Sequence, residues 1–187
     1  MAVGVIRDHF DVCGNGSMRA IKVLDYDPQW IKLFEAERAD LFALLGDFVE
    51  DIHHVGSTSV AGLPAKPKID IDAVVRRYEL VAEAVMRVQS TAKYAFHGAP
   101  HGDENWTFTA GRGSYGIRLY LSGPDNETHA KRILFRDWLR THPSDATAYA
   151  SLKRQLASEA NGDWDMYTGG KTDFVARIVR QAMVFDR

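Results

Sequence analysis

HVGSTSVAGLPAKPKIDID, residues 54–72, joins the ends of two strand-like segments through a turn-rich connection. The first segment, VEDIHHV (49–55), ends at Gly56-Ser57. A small-residue turn of this kind lets backbone N–H groups and a hydroxyl approach a phosphate closely. The connection GSTSVAGLPAKP (56–67) leads into KIDIDAVV (68–75), which alternates. Ile69, Ile71, Ala73 and Val75 fall on one strand face, Asp70 and Asp72 on the other. Residues two apart on a strand point the same way, about 6.6 Å apart at Cα. Two such carboxylates can converge on Mg²⁺ or Mn²⁺, and paired ions clamp the attacking and leaving oxygens of phosphoryl transfer. A solvated acidic face is the plain alternative. The turn and the acids in this order and spacing favour a metal site, with Asp70 and Asp72 as catalytic candidates and metal ligands.

Outward from this stretch the chain reads as one α+β (mixed α/β) domain. AIKVLD (20–25) predicts a short strand. Asp27-Pro28 opens a helix, as N-cap and first helical residue. Its apolar residues Trp30, Leu33, Phe34, Leu41 and Leu45 recur at helical spacing until Gly46. A helix is expected over 78–90 and strands near 105–110 and 115–121. From about 126 the pattern is helical, in segments near 127–141, 144–160 and 167–184, split by His142-Pro143 and Asn161-Gly162. Strands early and helices late predict a mixed sheet with a helical C-terminal flank. Residues 1–18 are Gly-rich and aperiodic, and are expected to form a flexible extension ahead of a single domain over 19–187.

The 187 residues carry a net charge of −2, with 45% hydrophobic and 26% charged residues. This balance disfavours a footprint on long nucleic acid, which requires a basic excess. The single cysteine, Cys13, excludes an internal disulfide framework and a Cys-cluster zinc site. No apolar run reaches membrane-span length, and the first residues lack the pattern of a signal peptide. A cytoplasmic protein without membrane association is expected.

The Gly-Ser turn followed by a D-hydrophobic-D strand is similar to the signature of the polymerase-β-like nucleotidyltransferase superfamily. More closely, the chain resembles the GrpB (UPF0157) family, whose hallmark HVGSTSV-x-GL-x-AKP-x-IDI is matched from His54 to Ile71. DYDPQWIKLFEAE (25–37), LFRDWLRTHP (134–143), AYASLKRQLA (148–157) and YTGGKTDF (167–174) extend the likeness over about residues 20–184. The resemblance implies a nucleotidyltransferase-type fold. Members also occur fused to dephospho-CoA kinase, which hints at nucleotide or coenzyme A chemistry. The superfamily usually adds a third carboxylate from a later strand. Here GIRLYL (116–121) has no acid, and Tyr120 stands where GrpB relatives carry His. Asp103, Glu104 and Asp125 are the nearest acids.

Two functions follow as expectations. One is a metal-dependent enzyme moving a nucleoside monophosphate from an NTP to a small acceptor. The other is a non-catalytic nucleotide- or coenzyme-A-related binding module on the same fold. The substrate-binding candidates are Gly56 and Ser57 at the turn, Lys66 before the acidic strand, and Arg118 and Tyr120 on the strand facing it. Lys171 is a further candidate, expected four residues after Tyr167 on one helix face. His54, Arg136 and Asp137 are read as mainly structural.

Overall fold

The computed structural model describes residues 20–100, 102 and 104–185. The proposed extension over 1–18, Cys13 and Asp103 lie outside them. The elements run α1 (Gln29–Leu45), β1 (Val49–Val55), β2 (Lys68–Val75), α2 (Val81–Ser90), β3 (Ala95–Phe96), β4 (Asn105–Arg112) and β5 (Tyr115–Ser122). Four helices follow: α3 (Glu127–Thr141), α4 (Pro143–Glu159), α5 (Trp164–Gly169) and α6 (Thr172–Phe185). The five strands form one sheet in the order β1-β2-β5-β4-β3. Only the β2–β5 pair is parallel; the others are antiparallel.

The alternation of β2 settles which sheet face is the core. Ile69, Ile71, Ala73 and Val75 are each 0% exposed and pack with Trp30, Phe34, Leu41 and Leu45 of α1 and with α2. Full burial of such side chains contributes roughly 1.5–3 kcal/mol each for the larger ones. Glu37, buried on α1, is matched by Arg112 Nε at 2.7 Å and Tyr94 Oη at 2.9 Å. The opposite sheet face looks toward the helical flank. That flank has its own apolar packing, in which Val60 and Leu63 of the 56–67 connection join Leu139, Tyr149 and Ala150. The connection is thereby pinned between sheet and flank.

Four expectations require correction. Residues 20–25 form no strand; Leu24 makes one isolated bridge to Ala65, and Pro64 and Pro67 beside it have no N–H with which to extend a ladder. The second helix begins at Val81, after a 3₁₀ turn over Tyr78–Leu80. The last helix is two, α5 and α6, broken at Gly170-Lys171. A Cβ on Gly170 would come within 2.5 Å of Leu156 Cδ2, so the chain passes α4 too closely for a longer side chain. The first helix starts one residue later than expected, at Gln29 with Pro28 in the N-cap position, while Asp27 Oδ1 accepts from Gln29 N at 2.9 Å.

Candidate functional site

The turn after β1 is shaped by its glycine. Gly56 has φ +72° and ψ −174°, a region open essentially to glycine alone. A Cβ there would lie 2.5 Å from Asp70 Oδ2. Gly56 therefore serves both the backbone turn and the close approach of the Asp70 carboxylate. His54 anchors the same turn from beneath. It is buried, stacks on Phe34 at 4.5 Å, and shares a 3.0 Å hydrogen bond between Nε2 and Thr58 Oγ1. Burial and the nearby Arg140 and Arg136 push its pKa down to about 3, so it stays neutral and structural. Arg136 donates to the His54 carbonyl and pairs with Asp137, which fits the structural reading of both.

A cavity of about 550 Å³ lies between the second sheet face and the helical flank. Gly56, Ser57, Lys66, Asp70, Arg118, Tyr120 and Lys171 all line it. The register explains the convergence: Asp70 pairs with Arg118 and Asp72 with Tyr120 across the β2–β5 ladder. Lys66 Nζ sits 4.0 Å over the Trp164 ring. Lys171 Nζ lies 4.2 Å from the Tyr167 ring although the two are not on one helix. Lys171 lies between α5 and α6, and both residues line the cavity.

Asp72 departs from the expectation. It is 0% exposed and does not line the cavity. Its Oδ1 accepts from Ser122 Oγ at 2.5 Å, and its Oδ2 accepts from Arg132 Nη1 at 2.6 Å. His129 Nδ1 lies 3.1 Å from Oδ2. Burial by itself would raise the Asp72 pKa; His129, Arg132 and Ser122 outweigh it and hold the carboxyl below its usual range. Arg132 is fixed in turn. Its guanidinium lies 3.7 Å over the Tyr120 ring, and the Asn105 amide oxygen, turned toward it, accepts from Nη2 at 2.6 Å. Asp70 faces the cavity while Asp72 lies buried outside it against Arg132 and Ser122, so the residues present do not fit an ion bridged by Asp70 and Asp72. Glu104 and Asp125 do not line the cavity, and no cluster of three or more His, Cys, Asp or Glu suited to a metal occurs among the described residues.

The sequence reading missed Lys153. It lies on α4, is 2% exposed, and donates to Ser57 Oγ at 2.9 Å and to the Pro64 carbonyl. Burial, then Lys171 and Arg154, push its pKa down to about 7. A buried lysine joined to the turn serine and lining the cavity is well placed to respond to an anion. Tyr149, one turn earlier on α4, lies beneath the Lys153 amine, which is 4.7 Å from its ring. Burial raises the Tyr149 pKa, so the phenol remains neutral. Lys131 and Arg132 on α3 also line the cavity, outside the residues that the sequence motifs mark. The available signal was the AYASLKRQLA segment, where Lys153 falls between apolar Leu152 and Leu156.

The five-stranded mixed sheet with a helical C-terminal flank is the α+β fold class expected from the sequence. A solved GLD-2/RNP-8 complex shares it at TM-score 0.53 and 11% identity, over 77% of this chain and 58% of that one. The GrpB protein family profile matches residues 20–181, and the chain belongs to that family. GrpB from Enterococcus faecalis superposes with TM-score 0.78 at 29% identity, over 86% of this chain and 96% of that one. UPF0157 protein BH1888 of Halalkalibacterium halodurans is 33% identical over 163 residues, 87% of this chain and 83% of the relative. UPF0157 protein YqkA of Bacillus subtilis is 30% identical over 169 residues, 84% of this chain; the match spans only 46% of YqkA. No helix among the described residues is long and apolar enough to cross a membrane.

Proposed function

We propose that the cavity binds a nucleotide, or a nucleotide-containing coenzyme, through its phosphates. The observation that carries this reading is the Ser57–Lys153 hydrogen bond at 2.9 Å, set in a cavity lined also by Lys66, Arg118, Lys131 and Lys171. Phosphate oxygens take charge-assisted bonds from such groups, roughly twice as strong as neutral ones. Aromatic lining from Phe135, Trp164 and Tyr167 suits a base or other flat ring. A volume of about 550 Å³ accommodates a ligand of this size.

Metal-dependent transfer of a nucleoside monophosphate to a small acceptor is the second reading. It is supported by Asp70, which faces the cavity beside the Gly56-Ser57 turn. It also requires Asp72 to exchange Arg132 for an ion, and no step through that ion follows from the geometry. Calorimetric titration of ATP, GTP, CTP, UTP and a coenzyme A precursor, with pyrophosphate release followed in parallel, tests both. Saturable binding of at least one ligand is expected. Lys171→Ala should weaken it about tenfold, the loss of one charge-assisted contact. Turnover would select the transferase, and failure of every ligand to bind would end the nucleotide reading.

A further inference from the structure

We propose that Arg132 is the resident cation of this site, so that phosphorylated ligands bind without a divalent metal. The inference rests on the reading of the cavity as a phosphate site and makes a narrower claim about it. A magnesium ion needs oxygen ligands at about 2.0–2.1 Å in near-octahedral array. Asp72 presents no oxygen to the cavity: it is 0% exposed, lies outside the lining, and Arg132 and Ser122 hold its oxygens at 2.6 and 2.5 Å. Arg132 lines the cavity and Asp72 does not, so the guanidinium stands between the carboxylate and any ligand.

Arg132 is also held on three sides, by Asp72, by the Tyr120 ring at 3.7 Å and by the Asn105 oxygen at 2.6 Å. Such a group is preorganised and loses little freedom when an anion arrives. The electrostatic reason for a metal is removed at the same time. Two bare aspartates would repel a polyphosphate unless a cation intervened. Here one aspartate is neutralised from within. The other, Asp70, is the one carboxylate among the described lining residues, and it shares the cavity with Lys66, Arg118, Lys131, Lys153 and Lys171.

The full chain is titrated calorimetrically with ATP and with inorganic tripolyphosphate, in EDTA and in excess Mg²⁺. Mn²⁺ alone is followed by water-proton relaxation. Affinity in EDTA should stay within about threefold of that in Mg²⁺, and Mn²⁺ alone should give no relaxation enhancement. Arg132→Met should lose about tenfold or more of the metal-free affinity, as expected when a charged phosphate contact goes. It should also gain a Mn²⁺ site at Asp70 and Asp72. Because that variant leaves the buried Asp72 without its guanidinium partner, the Asp72→Asn/Arg132→Met pair is measured beside it. The pair should fold, lose the same metal-free affinity and show no Mn²⁺ site. A loss of tenfold or more in EDTA, or Mn²⁺ binding by the wild type, would overturn the proposal while keeping the nucleotide reading. Absence of any anion binding would overturn the nucleotide reading, and the Mn²⁺ measurements would still decide whether Arg132 holds the metal position.

Discussion

Lys153 and Gly56 are the two residues whose environments make the sharpest single-site statements. With a pKa near 7, Lys153 is mostly neutral at pH 8, whereas in the unfolded chain it is charged. The unfolded state therefore binds one more proton between about pH 7 and 10.5, and stability from this group rises with pH across that window. Below pH 7 the burial cost is fully present. Lys153→Met should flatten this rise in a series of thermal melts. A bound polyphosphate favours the charged amine, so wild-type binding at pH 8 should take up close to one proton. Calorimetry in buffers of different ionisation enthalpy reads that number, and Lys153→Met should bring it near zero. At Gly56 the backbone sits at φ +72° and ψ −174°, with Asp70 Oδ2 only 2.5 Å from where a Cβ would stand. Gly56→Ala should cost about 1–3 kcal/mol from the backbone alone, read as a lower denaturation midpoint. Adding Asp70→Gly should recover the part due to the collision and leave the part due to φ.

At the scale of elements, β2 and α3 together decide what the two aspartates do. The alternation of KIDIDAVV was readable because strand period and burial agree, and the core face it predicted is the one observed. What alternation cannot say is which acid faces a cavity and which lies under a helix. That depends on Arg132, sixty residues later in the chain. The break between α5 and α6 had a signal in Gly169-Gly170, while the close approach of Gly170 to Leu156 on α4 is a tertiary contact that no local pattern shows. β3 spans two residues, too few for any period to show. The same division predicts opposite results for two similar substitutions. Asp70→Asn changes a cavity-facing group with little core packing and should leave the melting temperature nearly unaltered. Asp72→Asn strips the carboxylate from the buried pair and should destabilise by about 3–5 kcal/mol. Since Asp72 titrates below the usual carboxylate range when folded, its contribution is present above about pH 4 and is lost as pH falls through the folded value. Acid unfolding of the wild type should contain this proton, and that of Asp72→Asn should lack it.

Across the whole molecule the net charge is −2, yet one cavity gathers Lys66, Lys68, Arg118, Lys131, Arg132, Lys153 and Lys171 around Asp70. Positive charge is thus concentrated in a recess of about 550 Å³ rather than spread along a surface. This distinction separates a small phosphorylated ligand from a polynucleotide. A long strand gains affinity by releasing condensed counterions from many phosphates, so its binding falls by about 10³–10⁵ between 50 and 200 mM salt when 6–10 contacts are made. A mononucleotide carries no such condensed atmosphere, and cations in a partly enclosed site are screened less than exposed ones. Tripolyphosphate affinity should therefore fall by less than about tenfold over the same salt range. Labelled single- and double-stranded oligonucleotides should show no saturable change in fluorescence anisotropy, even at the low-salt end. Tight oligonucleotide binding with a steep salt slope would place the basic groups on a nucleic-acid track and count against a small acceptor or coenzyme as the natural ligand.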